Sequence, residues 1–357
     1  MTTVKRARAR EYTRIAGLAR TGRAAINARG YLILVTLYLI AGLLSSSMFQ
    51  AGTIRAIAAN GVPLVLVATG EAAVLLIGEL DLSVGAVTAL SGVFVIVLLN
   101  HDVAPTVAIG LAVSAGLAAG IVNGLCVALL RVSSFIVTLG TSLVFYGIAL
   151  VGANGVQVPV SRFGPTTWLG TSFAQIFTPT VVIGLVVVTV VAVAVGSSPW
   201  GRQLYAIGGD RESAERWGLP VKTRVISVFA LAGAMAALGG VLSALALGTG
   251  DPTVGSQTLL TAIAGAVIGG VGAKPGEGRI GSAACGALAL VVLTFLLNEE
   301  NVGASAQQAV VGVVVVAVGL GRLDPAVSRH LAAKRDALMK RHVPSHGPMP
   351  SAEDGGS

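Results

Sequence analysis

Charge is the scarcest thing in this sequence. Of its 357 residues only 11% are Asp, Glu, Lys or Arg, against about 25% in an ordinary water-soluble domain. The deficit runs along the chain, and 54% of the residues are hydrophobic. With a mean hydropathy of +0.84, such a surface is solvated by hydrocarbon, which excludes a soluble globule. Aromatic residues are also few, at 5%. The net charge of +8 therefore has no stacking platform beside it. That excludes a nucleic-acid partner, and the basic clusters read as segments attracted to anionic lipid. Cysteine is nearly absent: Cys126 and Cys285 each sit inside an apolar run. His101, His330, His342 and His346 all lie outside those runs, and no CxxC or Cys/His spacing occurs. Neither a metal centre nor a disulfide framework is expected, and no cofactor.

What is present is a series of long apolar runs. A helix needs about 20 residues to cross a bilayer core. Runs fall near 31–48, 56–77, 84–100, 106–130, 134–153, 179–196, 224–247, 258–273, 280–298 and 305–321. They are continuous rather than alternating, so β-barrel strands are excluded. The expected fold is all-α and polytopic, with about ten transmembrane helices. A basic segment, 1–30, precedes the membrane domain at 31–321, and a polar tail, 322–357, follows it. The tail's prolines after about 342 suggest disorder there. A thirty-residue basic lead is too long for a signal peptide, so 31–48 is expected to be a retained first helix.

With ten spans both termini share one side. If that side is the cytoplasm, 22 of the 24 basic residues lie there, and only Arg55 and Arg162 fall outside. This agrees with the positive-inside rule and predicts cytoplasmic termini in a multi-pass inner-membrane protein.

Small residues recur where helices must approach closely: Gly116, Gly120 and Gly124, then Gly233, Ala236, Ala237 and Gly240, then Gly265 and Gly269. Four acidic residues interrupt or adjoin the apolar runs: Glu71, Glu79, Asp81 and Asp251. A mid-membrane charge costs about 2.5–3.5 kcal/mol on insertion scales, so it faces a cavity or a partner. Glu71 is either a hydrogen-bonded tie between helices or a pathway-lining group. Glu79 and Asp81 stand in GELDLSVG, 78–85, which reads as a break between two spans, with Asp81 and Ser83 expected to cap a helix restarting near Val84.

GELDLSVG followed by a small-residue-rich span resembles the permease subunits of sugar-importing ABC transporters of the ribose/xylose/galactose group. RVSSFIVTLGTSLVFYGIALV (131–151), GRQLYAIGGDRESAERWGLPV (201–221) and LLTAIAGAVIGGV (259–271) are similar to further blocks of that family, in the same order. The chain departs from it at Leu259 and Thr261, where the family commonly has Glu and Asp. It departs again in GGVGAKPGEGRIG (269–281). The resemblance implies separate cytoplasmic ATP-binding subunits, an extracytoplasmic sugar-binding protein, and a homodimer or heterodimer of permeases in membrane lipid. In that arrangement the region of Glu71, Glu79, Asp81 and Ser83 shapes a pathway or gate, to which a later repeat of the Asp81 string adds Asp251.

The longest polar loop, 197–223, can be read without the family. Asp210 is a good N-cap, Arg211–Trp217 a short helix, Gly218 its stop, and Pro220 prevents continuation. Glu212 and Glu215 suit the helix dipole, and Trp217 is the kind of anchor found at interface hot spots. The alternatives are a self-packed loop and a helix that docks on a soluble partner. The resemblance favours the second, with the coupling loop running through Gly201, Arg202, Gly208, Gly209, Asp210, Glu212, Ala214, Trp217 and Gly218. No G-x-x-x-x-G-K-[ST] string occurs, so ATP hydrolysis is not expected of this chain.

Asp81-Leu82-Ser83-Val84-Gly85 has a counterpart in Asp251-Pro252-Thr253-Val254-Gly255. If spans 1–5 and 6–10 are repeats, an odd count makes them inverted, and each string would end a gate-forming helix. The expected function is inward passage of a monosaccharide. The rivals are an ion-coupled secondary transporter, a branched-chain amino-acid or nucleoside importer of the same design, and a membrane enzyme. The last is disfavoured because no nucleophile–base pair appears in the spans.

Overall fold

The computed structural model describes residues 28–130, 132–161, 177–272 and 274–320. The basic segment 1–27, Arg131, Arg162 and the tail 321–357 lie outside the described residues.

Ten apolar helices follow the predicted runs. They are α1 (28–44), α2 (Ala51–Leu76), α3 (Val84–Asn100), α4 (Pro105–Leu130) and α5 (Ser134–Gly152), then α6 (Pro179–Ser197), α9 (Val221–Leu247), α10 (Gly255–Ile268), α11 (Ile280–Glu299) and α12 (Ala304–Leu320). Six of them (α2, α4, α5, α6, α9 and α11) are long and apolar enough to cross a membrane, while the other four are shorter. Two polar helices, α7 (Pro199–Gly209) and α8 (Arg211–Arg216), lie between α6 and α9. A ribbon of two-residue strands, Val158–Pro159 against Thr249–Gly250, is antiparallel and follows α5 and α9. By contact, the described residues up to 315 form one compact unit.

The centre of that unit is α9, which packs on α2, α3 and α4. Small side chains make this possible, as expected where no hydrophobic force drives helices together in lipid. A Cβ on Gly120 would lie 2.2 Å from the carbonyl oxygen of Phe229, and one on Gly233 would lie 2.2 Å from that of Gly116. Backbones therefore touch across α4 and α9. Gly265 of α10 meets Ala287 of α11 in the same way. By contrast α5 turns Leu143, Val144 and Val151 outward, toward lipid or another chain.

Some features recur along the chain at a spacing of 170 residues. Helices α2 and α9 start 170 residues apart (51 and 221), as do α5 and α12 (134 and 304). In the first half, Ser83 gives its N–H and its hydroxyl to Asp81 Oδ1, at 2.8 and 2.6 Å. In the second, Thr253 does the same to Asp251 Oδ1, both at 2.7 Å. Thr88 and Thr258 each hydrogen-bond back to the carbonyl four residues earlier. Where the halves meet, Gly85 and Gly255 face each other: a Cβ on either would lie 2.2 or 2.3 Å from the other's carbonyl oxygen.

Two expectations need correction. Asp81 and Ser83 do not cap α3. Ser83 sits in helical conformation (φ −84°, ψ −16°), so its side chain turns back to Asp81 and no side chain reaches the first-turn amides. And α10 ends at Ile268 rather than near 273, because Gly270 (φ +102°) and Gly272 (φ +91°) take left-handed backbone that only glycine enters readily.

Candidate functional site

The break between α2 and α3 is seven residues long, Ile77–Ser83, and no regular ladder serves it. In a protein of this kind an unpaired amide is costly, so each N–H has to find an acceptor. Ile77, Gly78 and Glu79 donate to the last carbonyls of α2. Beyond them the acceptors are side chains from other elements. Leu80 N–H donates to Ser134 Oγ at 3.2 Å, Asp81 N–H to Glu71 Oε1 at 3.4 Å, and Leu82 N–H to Thr138 Oγ1 at 3.0 Å. Ser83 N–H turns to Asp81, and Asn123 Nδ2 on α4 donates to Ser83 Oγ at 2.7 Å. The break is thus laced to α2, α4 and α5 by Glu71, Asn123, Ser134 and Thr138.

The structure brings Glu71, Asp81 and Ser83 together, all buried, with Glu79 at the rim of the same cluster. Asp251 is not among them. It lies beside the ribbon, where Gln157 Nε2 donates to its Oδ2 at 2.8 Å. The cluster is short of donors: Glu71 Oε2 and Asn123 Oδ1 are buried without a hydrogen-bond partner among the described residues. No group of three or more His, Cys, Asp or Glu side chains there could hold a metal ion.

Glu79 leads out of the cluster to the polar helices, through an ion pair with Arg211 Nη1 on α8. Ser198 caps α7 by accepting from Gly201 N–H at 3.1 Å, with Pro199 in the first turn. Leu204 and Ile207 bury one side of α7. Gly201 and Gly208 let its backbone touch α6 and the end of α2: a Cβ would lie 1.9 Å from the Val195 oxygen and 2.0 Å from the Leu76 oxygen. Gly209 has open space beside it, and Arg202 Nη1 donates to the Ser197 carbonyl at 3.0 Å.

At Asp210 the chain is extended (φ −159°, ψ 99°), ending α7 and starting α8. Its carboxylate accepts from Ser213 N–H and Ser213 Oγ–H, and those bonds hold it below the usual carboxylate range. Ala214 anchors α8 inward, Glu212 pairs with Arg216 at 3.4 Å, and Gly218 (φ +77°) stops the helix. Trp217, 85% exposed, projects from its end.

The sequence reading singled out the acidic residues and the loop. It missed Asn123, Ser134 and Thr138, whose only signal was polarity within apolar helices, and it missed α7.

A family model described as branched-chain amino acid transport system / permease component matches residues 53–319. That is three-quarters of the sequence. The chain belongs to this permease family. The D-allose transport system permease protein AlsC of Escherichia coli K12 is 34% identical over 82% of this permease and 90% of its own length. The ribose import permease protein RbsC of Bacillus subtilis 168 is 34% identical over 82% and 91%. The autoinducer 2 import system permease protein LsrC of Escherichia coli K12 / DH10B is 29% identical over 90% and 94%. The permease is therefore a multi-pass membrane protein of the ABC importer class, whose members work with ATPase and binding-protein partners.

Proposed function

We propose that the permease carries a monosaccharide-like solute inward across the cytoplasmic membrane, with both termini and the α7–α8 element on the cytoplasmic side. A pair of ATP-binding subunits docks on α8 around Trp217. An extracytoplasmic binding protein delivers the solute, and two permease chains, identical or closely related, enclose its path. Partner closure and solute release each favour one conformation by differential affinity.

The observation that carries this reading is the Arg211–Glu79 ion pair. It ties the element suited to a soluble partner directly to the break held by Glu71, Asp81 and Ser83. In this reading those residues and Asp251 shape the two gates, one in each half. The relatives named for D-allose, ribose and autoinducer 2 support a sugar-like cargo.

The test is uptake by proteoliposomes holding the permease, its ATP-binding subunits and its binding protein. ATP-dependent accumulation of ribose or D-allose is expected. Uptake by the permease alone down an ion gradient overturns the ATP-driven reading. The family's description favours one second reading, a branched-chain amino acid as cargo, and competition by leucine in the same assay decides for it.

A further inference from the structure

A large cavity lies away from the gate cluster, between α2, α6 and α11, with a volume near 1150 Å³. Much of its length is walled by Val62, Val65, Leu185, Val188, Ala192 and Leu288, a mainly aliphatic trench that Thr189 and Cys285 interrupt. Gly184 brings α6 against α2 at Val62, where a Cβ would lie 2.6 Å from Val62 Cγ1.

The other end of the cavity is polar. Tyr31, Tyr205, Lys274 and Arg279 line it. Lys274 pairs with Glu277 at 3.0 Å, whereas Arg279 has no carboxylate partner among the described residues. Tyr205 donates its hydroxyl to the Gly278 carbonyl at 2.9 Å. The Tyr31 hydroxyl lies over Gly281 in the first turn of α11, a helix that starts without a side-chain cap. Lys274 and Arg279 against Glu277 leave one surplus positive charge. A guanidinium without a carboxylate and a phenol hydroxyl thus share the polar end of an apolar slot.

We propose that this cavity is a specific site for an acidic glycerophospholipid. One acyl chain occupies the aliphatic trench, and the phosphate is held by Arg279 and Tyr31. Charge selects this occupant. Basic pockets between transmembrane helices suit anionic headgroups, and Arg binds phosphate through paired, charge-assisted bonds. The chain's own residues 1–27 carry seven basic side chains against one acid, Glu11, the wrong sign for this mouth. A second copy of the chain would present another protein surface rather than an alkyl chain with an acid at its end.

The test is native mass spectrometry of the full-length permease released from nanodiscs of equal phosphatidylglycerol and phosphatidylcholine. One phosphatidylglycerol retained per chain, in preference to phosphatidylcholine, is expected. Arg279→Gln should cut that preference about tenfold, the loss of one charge-assisted contact. Ala192→Phe, which fills the trench, should remove retained lipid of both kinds. If Ala192→Phe does not yield a monodisperse protein, a photocrosslinking residue at Leu185 replaces it and should capture phosphatidylglycerol. Equal retention of both lipids, or an unchanged preference in Arg279→Gln, overturns the proposal and leaves annular lipid only. Capture of a second permease chain at Leu185 overturns it in favour of a protein interface.

Discussion

Removing the Glu71 carboxylate leaves the Asp81 amide without its acceptor inside a fully buried cluster. Glu71→Ala should therefore cost about 1–3 kcal/mol of stability, the penalty of an unsatisfied buried group. Glu71→Gln keeps an acceptor and adds a donor where Oε2 and Asn123 Oδ1 now lack one. It should be near neutral in thermal unfolding of the detergent-solubilised protein. A Gln variant as damaging as the Ala variant would show that the carboxyl group itself is required. Gly120→Ala tests packing: its Cβ would meet the Phe229 carbonyl, a backbone atom that cannot swing aside. It should cost about 1–3 kcal/mol, seen as a lowered unfolding midpoint. At this scale the sequence was partly legible. Glu71 stood out because a carboxyl in hydrocarbon needs a reason. Asn123, Ser134 and Thr138 did not, since neutral polar groups are tolerated in helices and only tertiary closeness shows which amides they serve.

At the scale of elements, α8 could be read in advance and α7 could not. Asp210, Gly218 and Pro220 punctuate α8 so strongly that its cap, stop and exposed Trp217 all follow. Helix α7 has its own start signal in Ser198-Pro199, but two glycines at its end and its brevity read as loop. The Arg211–Glu79 pair makes a specific prediction for the reconstituted transporter. Arg211→Glu should lower ATP-driven uptake about three- to tenfold, and Glu79→Arg in the same chain should restore part of it, as expected for partners coupled by about 1 kcal/mol. No rescue by the double reversal would mean that the pair transmits nothing. Trp217→Ala should weaken binding of the ATP-binding subunits by about 2 kcal/mol if it is the anchor, measured by titration of one subunit onto the other. Because hydrogen bonds lower the Asp210 pKa, its cap persists above the ordinary carboxylate range. It is lost only as pH falls through that lowered value, so titration of Asp210 should leave subunit binding unchanged near neutral pH.

For the molecule as a whole, composition sufficed for the class, and the runs sufficed for the helices. Lengths were less certain: α10 is cut short by glycines whose left-handed backbone the hydropathy pattern does not register. The correspondence between the halves was legible only as two short strings. Its weight comes from the shared hydrogen bonding at Asp81 and Asp251 and from the Gly85–Gly255 contact. The orientation proposed from the basic residues can be checked directly. After Cys126 and Cys285 are replaced, Ser213→Cys should react with an impermeant maleimide only from the cytoplasmic side, and Asp102→Cys only from outside. Labelling of both from one side would overturn the ten-span topology.

The side-chain lacing of Leu80, Asp81 and Leu82 has a consequence for motion. A helix can lengthen or shorten only by opening its own ladder, one amide at a time. These three amides instead rest on hydroxyls and a carboxylate borrowed from α5 and α2. Their grip can be handed to a new acceptor by rotamer changes while every helix stays intact. Transport should then leave its mark as faster deuterium uptake at these three positions during turnover, with the interiors of α2 and α5 as protected as at rest.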